Sequence, residues 1–159
     1  MVSHPSPPTG QRRETPLLAA DSCILINFLR LKSFPVLTEA CAFRLVITRS
    51  VLKEITDPAQ RAMLDTFLKA GALKEVDPDS IEVVRLHLSL RQDGLGEGEA
   101  SSLAYAAVEG CILACDEKNR CFITAAEKIG FLDRLVTTRD LLNLAVIEKR
   151  LSLEQANLS

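Results

Sequence analysis

Apolar residues in this chain recur with two periods, one suited to strands and one to helices. Leu17-Leu-Ala-Ala20 is a short apolar run with no polar interruption, the pattern of a strand covered on both faces. Ile24, Leu25, Phe28 and Leu29 follow at helical spacing, so Asp21 stands where a strand ends and a helix begins. Residues 31–42 read as a second short helix. Arg44-Leu-Val-Ile-Thr48 reads as a strand, after which Ser50 is expected to cap a helix over 51–55, bounded by Pro58. A helix over 59–70 follows, with Ala62, Met63, Phe67 and Ala70 as its inward stripe and Gly71 as its stop.

The alternation continues. Residues 73–76 form a short strand at or near an edge. Asp79 or Ser80 caps a helix with Ile81, Val84, Leu88 and Leu90 inward. Asp93-Gly-Leu-Gly96 breaks the chain before a small-residue helix over 97–109, which Gly110 ends. Residues 111–115 and 134–137 read as strands, each followed by a helix, over 118–129 and 138–150. Ser152 could cap one more. Strands alternating with helices imply an α/β fold, a mostly parallel sheet between helical layers with right-handed crossovers. No internal repeat interrupts residues 17–150. Residues 1–16 hold four of the seven prolines and read as a disordered tail, and residues 151–159 as a C-terminal extension.

Composition narrows the function classes. The 159 residues suit one domain, and 47% hydrophobic content is enough for a sizeable core. A net charge of −2 is not that of a generic nucleic-acid binder, so any polyanion must be met by local Arg and Lys or by metal ions. No apolar run reaches the roughly 18 residues of a membrane span, and the polar start lacks a signal region. Together these read as a cytoplasmic protein with no membrane partner. The five cysteines, Cys23, Cys41, Cys111, Cys115 and Cys121, are odd in number, which argues against a disulfide framework. Cys111, Cys115 and Cys121 do not have the spacing of a zinc site, so buried free thiols are the expectation.

The acids fall at one kind of place. Asp21 follows the first strand. Glu54 lies on the helix after the second. Glu99 lies in the first turn after Gly94-Leu-Gly-Glu-Gly98, and Asp116 and Glu117 follow the strand at 111–115. Each alone is explained by helix capping or by the positive end of a helix. Together they can converge on one cleft, where packed carboxylates are stable only when protonated or sharing a cation. Such oxygen-rich sets favour Mg²⁺ or Mn²⁺, ions that activate water in phosphodiester hydrolysis.

The sequence Asp21-Ser22…Ile26-Asn27, then Thr48-Arg-Ser-Val-Leu-Lys-Glu54-Ile55, then Gly96-Glu-Gly98-Glu99-Ala100, then Cys115-Asp116-Glu117…Arg120 resembles PIN-domain proteins. The branch it most resembles includes toxin ribonucleases of prokaryotic toxin–antitoxin pairs and their solitary relatives. The resemblance spans roughly residues 17–150. It implies a three-layer α/β/α sandwich and a metal-dependent site for RNA hydrolysis in which Asp21, Glu54, Glu99 and Asp116 are catalytic. Asp21, Glu99, Asp116 and Glu117 would hold Mg²⁺ or Mn²⁺, with Asp116 preferred over Glu117 as direct ligand because it comes straight off the strand. Ser22 matches the hydroxyl residue supporting the first acid, and Ser22, Arg49, Lys53 and Arg120 are the candidate substrate contacts. A homodimer and a small antitoxin partner are further implications. Two positions depart from the family pattern. Cys23 stands where many members have Asn, and Ala114 stands where a Thr would brace the fourth acid.

Three other classes compete. A haloacid-dehalogenase-like phosphatase needs a second Asp where Cys23 stands. A phospho-acceptor domain needs an early acid pair that is absent. A catalytically weak or inactive PIN-like binding or dimerisation module remains open, since a fold does not guarantee its activity.

Overall fold

In the computed structural model, residues 15–32, 34, 35, 37, 43–117 and 119–147 are described here. The expected helix over 31–42, the first fourteen residues of the tail, and everything from residue 148 onward therefore fall largely or wholly outside the described residues. Five strands form one sheet: β1 (Leu17–Ala20), β2 (Arg44–Thr48), β3 (Leu73–Val76), β4 (Ile112–Ala114) and β5 (Leu135–Val136). Their order is β3-β2-β1-β4-β5 and every neighbouring pair is parallel. The helices are α1 (Ser22–Arg30), α2 (Arg49–Glu54), α3 (Pro58–Lys69), α4 (Ile81–Gln92), α5 (Glu97–Glu109), α6 (Arg120–Lys128) and α7 (Thr138–Ile147).

The alternation of side chains along each strand divides the core in two. Leu18, Ala20, Leu45, Ile47 and Ala114 face the layer built by α1, α2, α3 and α7. Ala19, Val46 and Leu113 face α4, α5 and α6. Both sheet faces are thus covered, which is why the strands read as unbroken apolar runs. Ala100, Ala104 and Ala106 are fully buried on α5, and that helix packs on β1, β2 and β4. The chain begins at the centre of the sheet, winds outward through β2 and β3, then crosses back to β4 and β5. That reversal opens a crevice beyond the carboxyl ends of β1 and β4, the usual ligand site of open parallel sheets.

Some local assignments shift. Helix α2 starts directly off β2, and its cap is Thr48, not Ser50: Thr48 Oγ1 accepts from the Val51 N–H at 3.4 Å and meets the buried Ser101 hydroxyl at 2.7 Å. Ser50 instead donates to Glu97 at 3.3 Å. Thr48→Ala removes both the cap and the buried bond, and is expected to cost about 1–2 kcal/mol in a urea melt. A loss below about 0.5 kcal/mol, the scatter of ordinary surface substitutions, would contradict that role. On α3 the buried residue is Leu64, with Phe67 and Leu68 packed beside it, while Met63 is 38% exposed. On α4 Val83 and Leu90 are buried, and Ile81, Val84 and Leu88 are exposed. Each of these helices carries two apolar stripes at helical spacing, and packing against its neighbours selected between them.

Candidate active site

Asp21 directly follows β1, and its backbone N–H donates to Ala114 O at 3.0 Å, continuing the ladder to β4 by one step. This fixes the side chain at the head of the crevice. Asp21 occupies the N-cap position of α1, yet its carboxylate makes no cap bond. Its Oδ2 lies 3.6 Å from Cys23 Sγ and 3.5 Å from Cys115 Sγ, and its Oδ1 is buried without a hydrogen-bond partner. The residue is 5% exposed. Burial raises its pKa above the ordinary carboxylate value and the Glu54 charge adds to that rise. Hydrogen bonds from the Ser22 backbone and from the two thiols act the other way.

Glu54 ends α2 and reaches across to two other helices. Its Oε2 accepts from the Ser22 hydroxyl at 2.8 Å, and its Oε1 accepts from the Gly98 N–H at 3.0 Å. The carboxylate lies so close to α5 that a Cβ on Gly98 would come within 2.3 Å of Oε1. Gly98 is therefore required for a close approach, which the sequence signalled only as part of Gly96-Glu-Gly98-Glu99. The Ser22 hydroxyl donates to Glu54 rather than to Asp21.

Glu99 lies in the first turn of α5, where its Oε2 accepts from the Gly96 N–H at 3.1 Å. Its pKa is raised, first by desolvation, then by the Glu117 carboxyl beside it and by the Asp21 charge, against the lowering effect of the Gly96 bond. Glu97, two residues earlier, turns away to pair with His87 at 3.1 Å and Arg91 at 3.2 Å.

The acid pair after β4 separates. Asp116 Oδ1 accepts from the Thr138 N–H at 2.7 Å, and Oδ2 accepts from the Asn27 amide at 2.9 Å and from the Thr138 hydroxyl. Asp116 thereby ties α1 to the start of α7. Glu117 is the one that lies beside Glu99, and its Oε1 also accepts from the Asn119 N–H at 2.7 Å. The preference for Asp116 over Glu117 as the direct ligand thus meets a different arrangement: both Asp116 oxygens are already engaged, and Glu117 joins the acid group. The missing Thr at position 114 has a substitute in Thr138, which braces Asp116 from the start of α7, just past the neighbouring edge strand β5. No local signal could have shown this, because Thr138 and Asp116 are 22 residues apart.

The candidate phosphate contacts divide similarly. Arg49 is held by Glu75 at 3.2 Å and Asp77 at 2.7 Å. Lys53 and Arg120 are exposed and make no ion pair among the described residues. Arg120 opens α6 and borders a surface depression with Thr124 and Lys128. A larger cavity sits elsewhere, lined by Leu17, Phe43, Arg44 and Tyr105, toward the amino ends of β1 and β2.

The thiols are not uniformly buried. Cys111 and Cys115 are buried, Cys23 is half-buried and Cys121 is exposed. Burial pushes the Cys111 thiol up to about 11. Cys115 is raised further by its contact with Cys23, by burial and by the Asp21 charge.

The acid group is compatible with a divalent cation. Asp21 has a buried oxygen with no partner, Glu54 opposes the ionisation of Asp21, and Asp21 and Glu117 oppose that of Glu99. A shared cation relieves both penalties, the electrostatic one and the unpaired one.

A family model described as a PIN domain matches residues 17–149. No curated protein matches the sequence. Among solved structures, that of PAE2754 from Pyrobaculum aerophilum is similar at a TM-score of 0.52 and 16% identity, over 83% of this chain and 91% of that one. At that identity the likeness concerns the fold alone. It agrees with the all-parallel sheet and its two helical layers. No helix among the described residues is long and apolar enough to cross a membrane.

Proposed function

This chain belongs to the PIN domain family, and from that premise we propose that it is a metal-dependent endoribonuclease, toxin-like in kind, using Mg²⁺ or Mn²⁺. PIN domains are generally nucleases, commonly with divalent metals. The observation that carries the finer reading is the buried Asp21 carboxylate, one oxygen of which has no partner, beside Glu99, whose own ionisation is opposed by Asp21 and Glu117. Backbone hydrogen bonds account for one oxygen each of Glu99 and Glu117 but not for their gathering beside Asp21, which a shared cation would favour.

Asp21, Glu99 and Glu117 would hold the ion. When bound, a divalent cation supplies Lewis acidity, making water a competent nucleophile near neutral pH and offsetting charge on the phosphate. The chain's own residues do the positioning. Ser22 and Gly98 hold both oxygens of Glu54 in fixed directions, leaving it as an oriented acceptor at the edge of the acid group. Asn27 and Thr138 do the same for Asp116, which fixes the loop that carries Glu117. Lys53 and Arg120 are the exposed cations proposed to meet the RNA backbone, where Lys and Arg supply most sequence-independent affinity. A second copy of the chain and a small antitoxin are the proposed protein partners.

The test is cleavage of an end-labelled RNA by metal-stripped protein to which Mn²⁺ is returned. Cleavage is expected only with the ion, and Glu99→Gln is expected to slow it by about 100-fold or more, as loss of a ligand or transition-state contact does. Cleavage that survives a chelator, or that is unchanged in Glu99→Gln, would overturn the reading. The pH dependence follows from the raised carboxyls. Asp21 and Glu99 have higher pKa values in the fold than in the unfolded chain. The metal-free protein therefore loses stability as pH rises from the ordinary carboxylate range through the raised values. Mn²⁺ binds the ionised form, so its effect on Tm is expected to be larger at pH 7 than at about pH 5, where protons compete for these raised carboxyls.

A further inference from the structure

Two cysteines flank Asp21 where nothing in the proposed hydrolysis uses them. Cys23 is the second residue of α1 and Cys115 the first residue after β4. They are remote in sequence and are joined by the sheet, since Ala20 pairs with Ala114 and the Asp21 N–H bonds Ala114 O. One ligand atom from each of Asp21, Cys23 and Cys115 lies within 4.8 Å of the other two. We propose that Asp21, Cys23 and Cys115 form a second kind of cation site, one for a thiophilic divalent ion such as Zn²⁺ or Cd²⁺, overlapping the acidic site at Asp21.

Distances and chemistry both point there. A tetrahedral ion holds thiolate sulfur at about 2.3 Å and carboxylate oxygen at about 2.0–2.1 Å, which spaces those two ligand atoms about 3.5 Å apart. Asp21 Oδ2 is 3.5 Å from Cys115 Sγ and 3.6 Å from Cys23 Sγ. The Asp21 oxygen thus stands near its coordinated spacing from both sulfurs. Asp21 is buried to 5% exposure and its second oxygen has no partner. Cys23 is half-buried, so the group is not sealed from solvent. A hard ion such as Mg²⁺ takes oxygen ligands and gains little from sulfur, whereas Zn²⁺ and Cd²⁺ bind thiolates strongly. The two ions therefore compete for one carboxylate through different partners. Binding of the soft ion releases the thiol protons to solvent, and it withdraws Asp21 from the hard-ion set.

Cadmium titration reads this without RNA and so does not depend on the nuclease reading. The full chain, in a phosphine reductant that keeps thiols free, is expected to develop an ultraviolet thiolate-to-metal band that saturates at one equivalent of Cd²⁺. Cys23→Ser and Cys115→Ser are each expected to weaken binding at least about tenfold, the scale of losing one metal-site partner, while Cys41→Ser and Cys121→Ser leave the band intact. Circular dichroism melts establish that each variant is folded. Cys23 is half-buried at a helix start, so its Ser variant serves even if the buried Cys115 position tolerates no change. Absence of the band in the wild-type chain, or its persistence in Cys23→Ser, would overturn the site. A second measurement rests on the nuclease reading: Zn²⁺ is expected to suppress Mn²⁺-dependent cleavage at least about tenfold more strongly in wild-type protein than in Cys23→Ser. Equal suppression would show that the thiols do not draw the ion to Asp21.

Discussion

Asp21→Asn is expected to lower RNA cleavage by about 10³-fold or more, the scale of losing a group that acts in a metal-assisted site. The same change is expected to raise the Tm of the metal-free protein. The physical basis is the sign of the Asp21 pKa shift. Burial raises it in the fold, so ionising this carboxyl costs more in the folded chain than in the unfolded one. Whatever stability the protonated form contributes is complete below the unfolded pKa and is lost as pH rises through the folded one. An amide has no such loss. The gap in Tm between variant and wild type should therefore open from about pH 4 toward neutrality, by about 2–4 °C for each kcal/mol recovered in a chain this size. Adding Mn²⁺ should close it again from the wild-type side, because only the carboxylate gains the ion. Melts of both proteins at several pH values, with and without Mn²⁺, check every part. A variant less stable than wild type at pH 7 would mean that Asp21 is held by interactions favouring its charge, and the argument for a cation there would fail.

Gly98→Ala is the second large effect, and it should separate activity from stability. A Cβ at Gly98 would stand 2.3 Å from Glu54 Oε1 and 2.6 Å from Cδ and Oε2, closer than atoms can come. The colliding group is the end of an exposed, flexible side chain, so the carboxylate swings away and the backbone holds. The fold loses the Gly98-to-Glu54 hydrogen bond, worth about 1 kcal/mol, and gains a similar amount from Ala in place of Gly within a helix. Stability should stay within about 1 kcal/mol of wild type. Cleavage should nevertheless fall about 10–100-fold, since a misplacement of about 1 Å at a reacting centre costs on that order. A urea melt beside a cleavage assay decides it. Full activity in Gly98→Ala would remove Glu54 from the chemistry, and a stability loss of several kcal/mol would mean that α5 itself had moved.

These two residues differ in how far the sequence exposes them. Asp21 is legible as an acid at the end of an apolar strand run, because a continuous run marks burial on both faces and the strand end marks the crevice. Its company is less legible. That Glu54 reaches the α5 N-terminus, that Thr138 and Asn27 take up both oxygens of Asp116, and that Glu117 is left to stand beside Glu99 depend on contacts between residues 18 to 89 positions apart. The thiols show the same limit. The spacing of the cysteines implied only buried free thiols, whereas the sheet brings Cys115 to Cys23 and leaves Cys121 exposed.

The sequence by itself determined the alternation of strands and helices, the parallel sheet they imply and the acids at its carboxyl edge, because these follow from side-chain periodicity and chain order. It also carried the family pattern, spread over four separate stretches. Only the tertiary structure decided which face α3 and α4 bury, since two apolar stripes of equal periodicity were present and neighbouring helices chose between them. It likewise decided which of the adjacent acids Asp116 and Glu117 joins the group, because a one-residue step off a strand reverses the side chain's direction and only distant partners fix the outcome. And it alone set two thiols against Asp21, since the register of β1 with β4 is a long-range fact that no local pattern encodes.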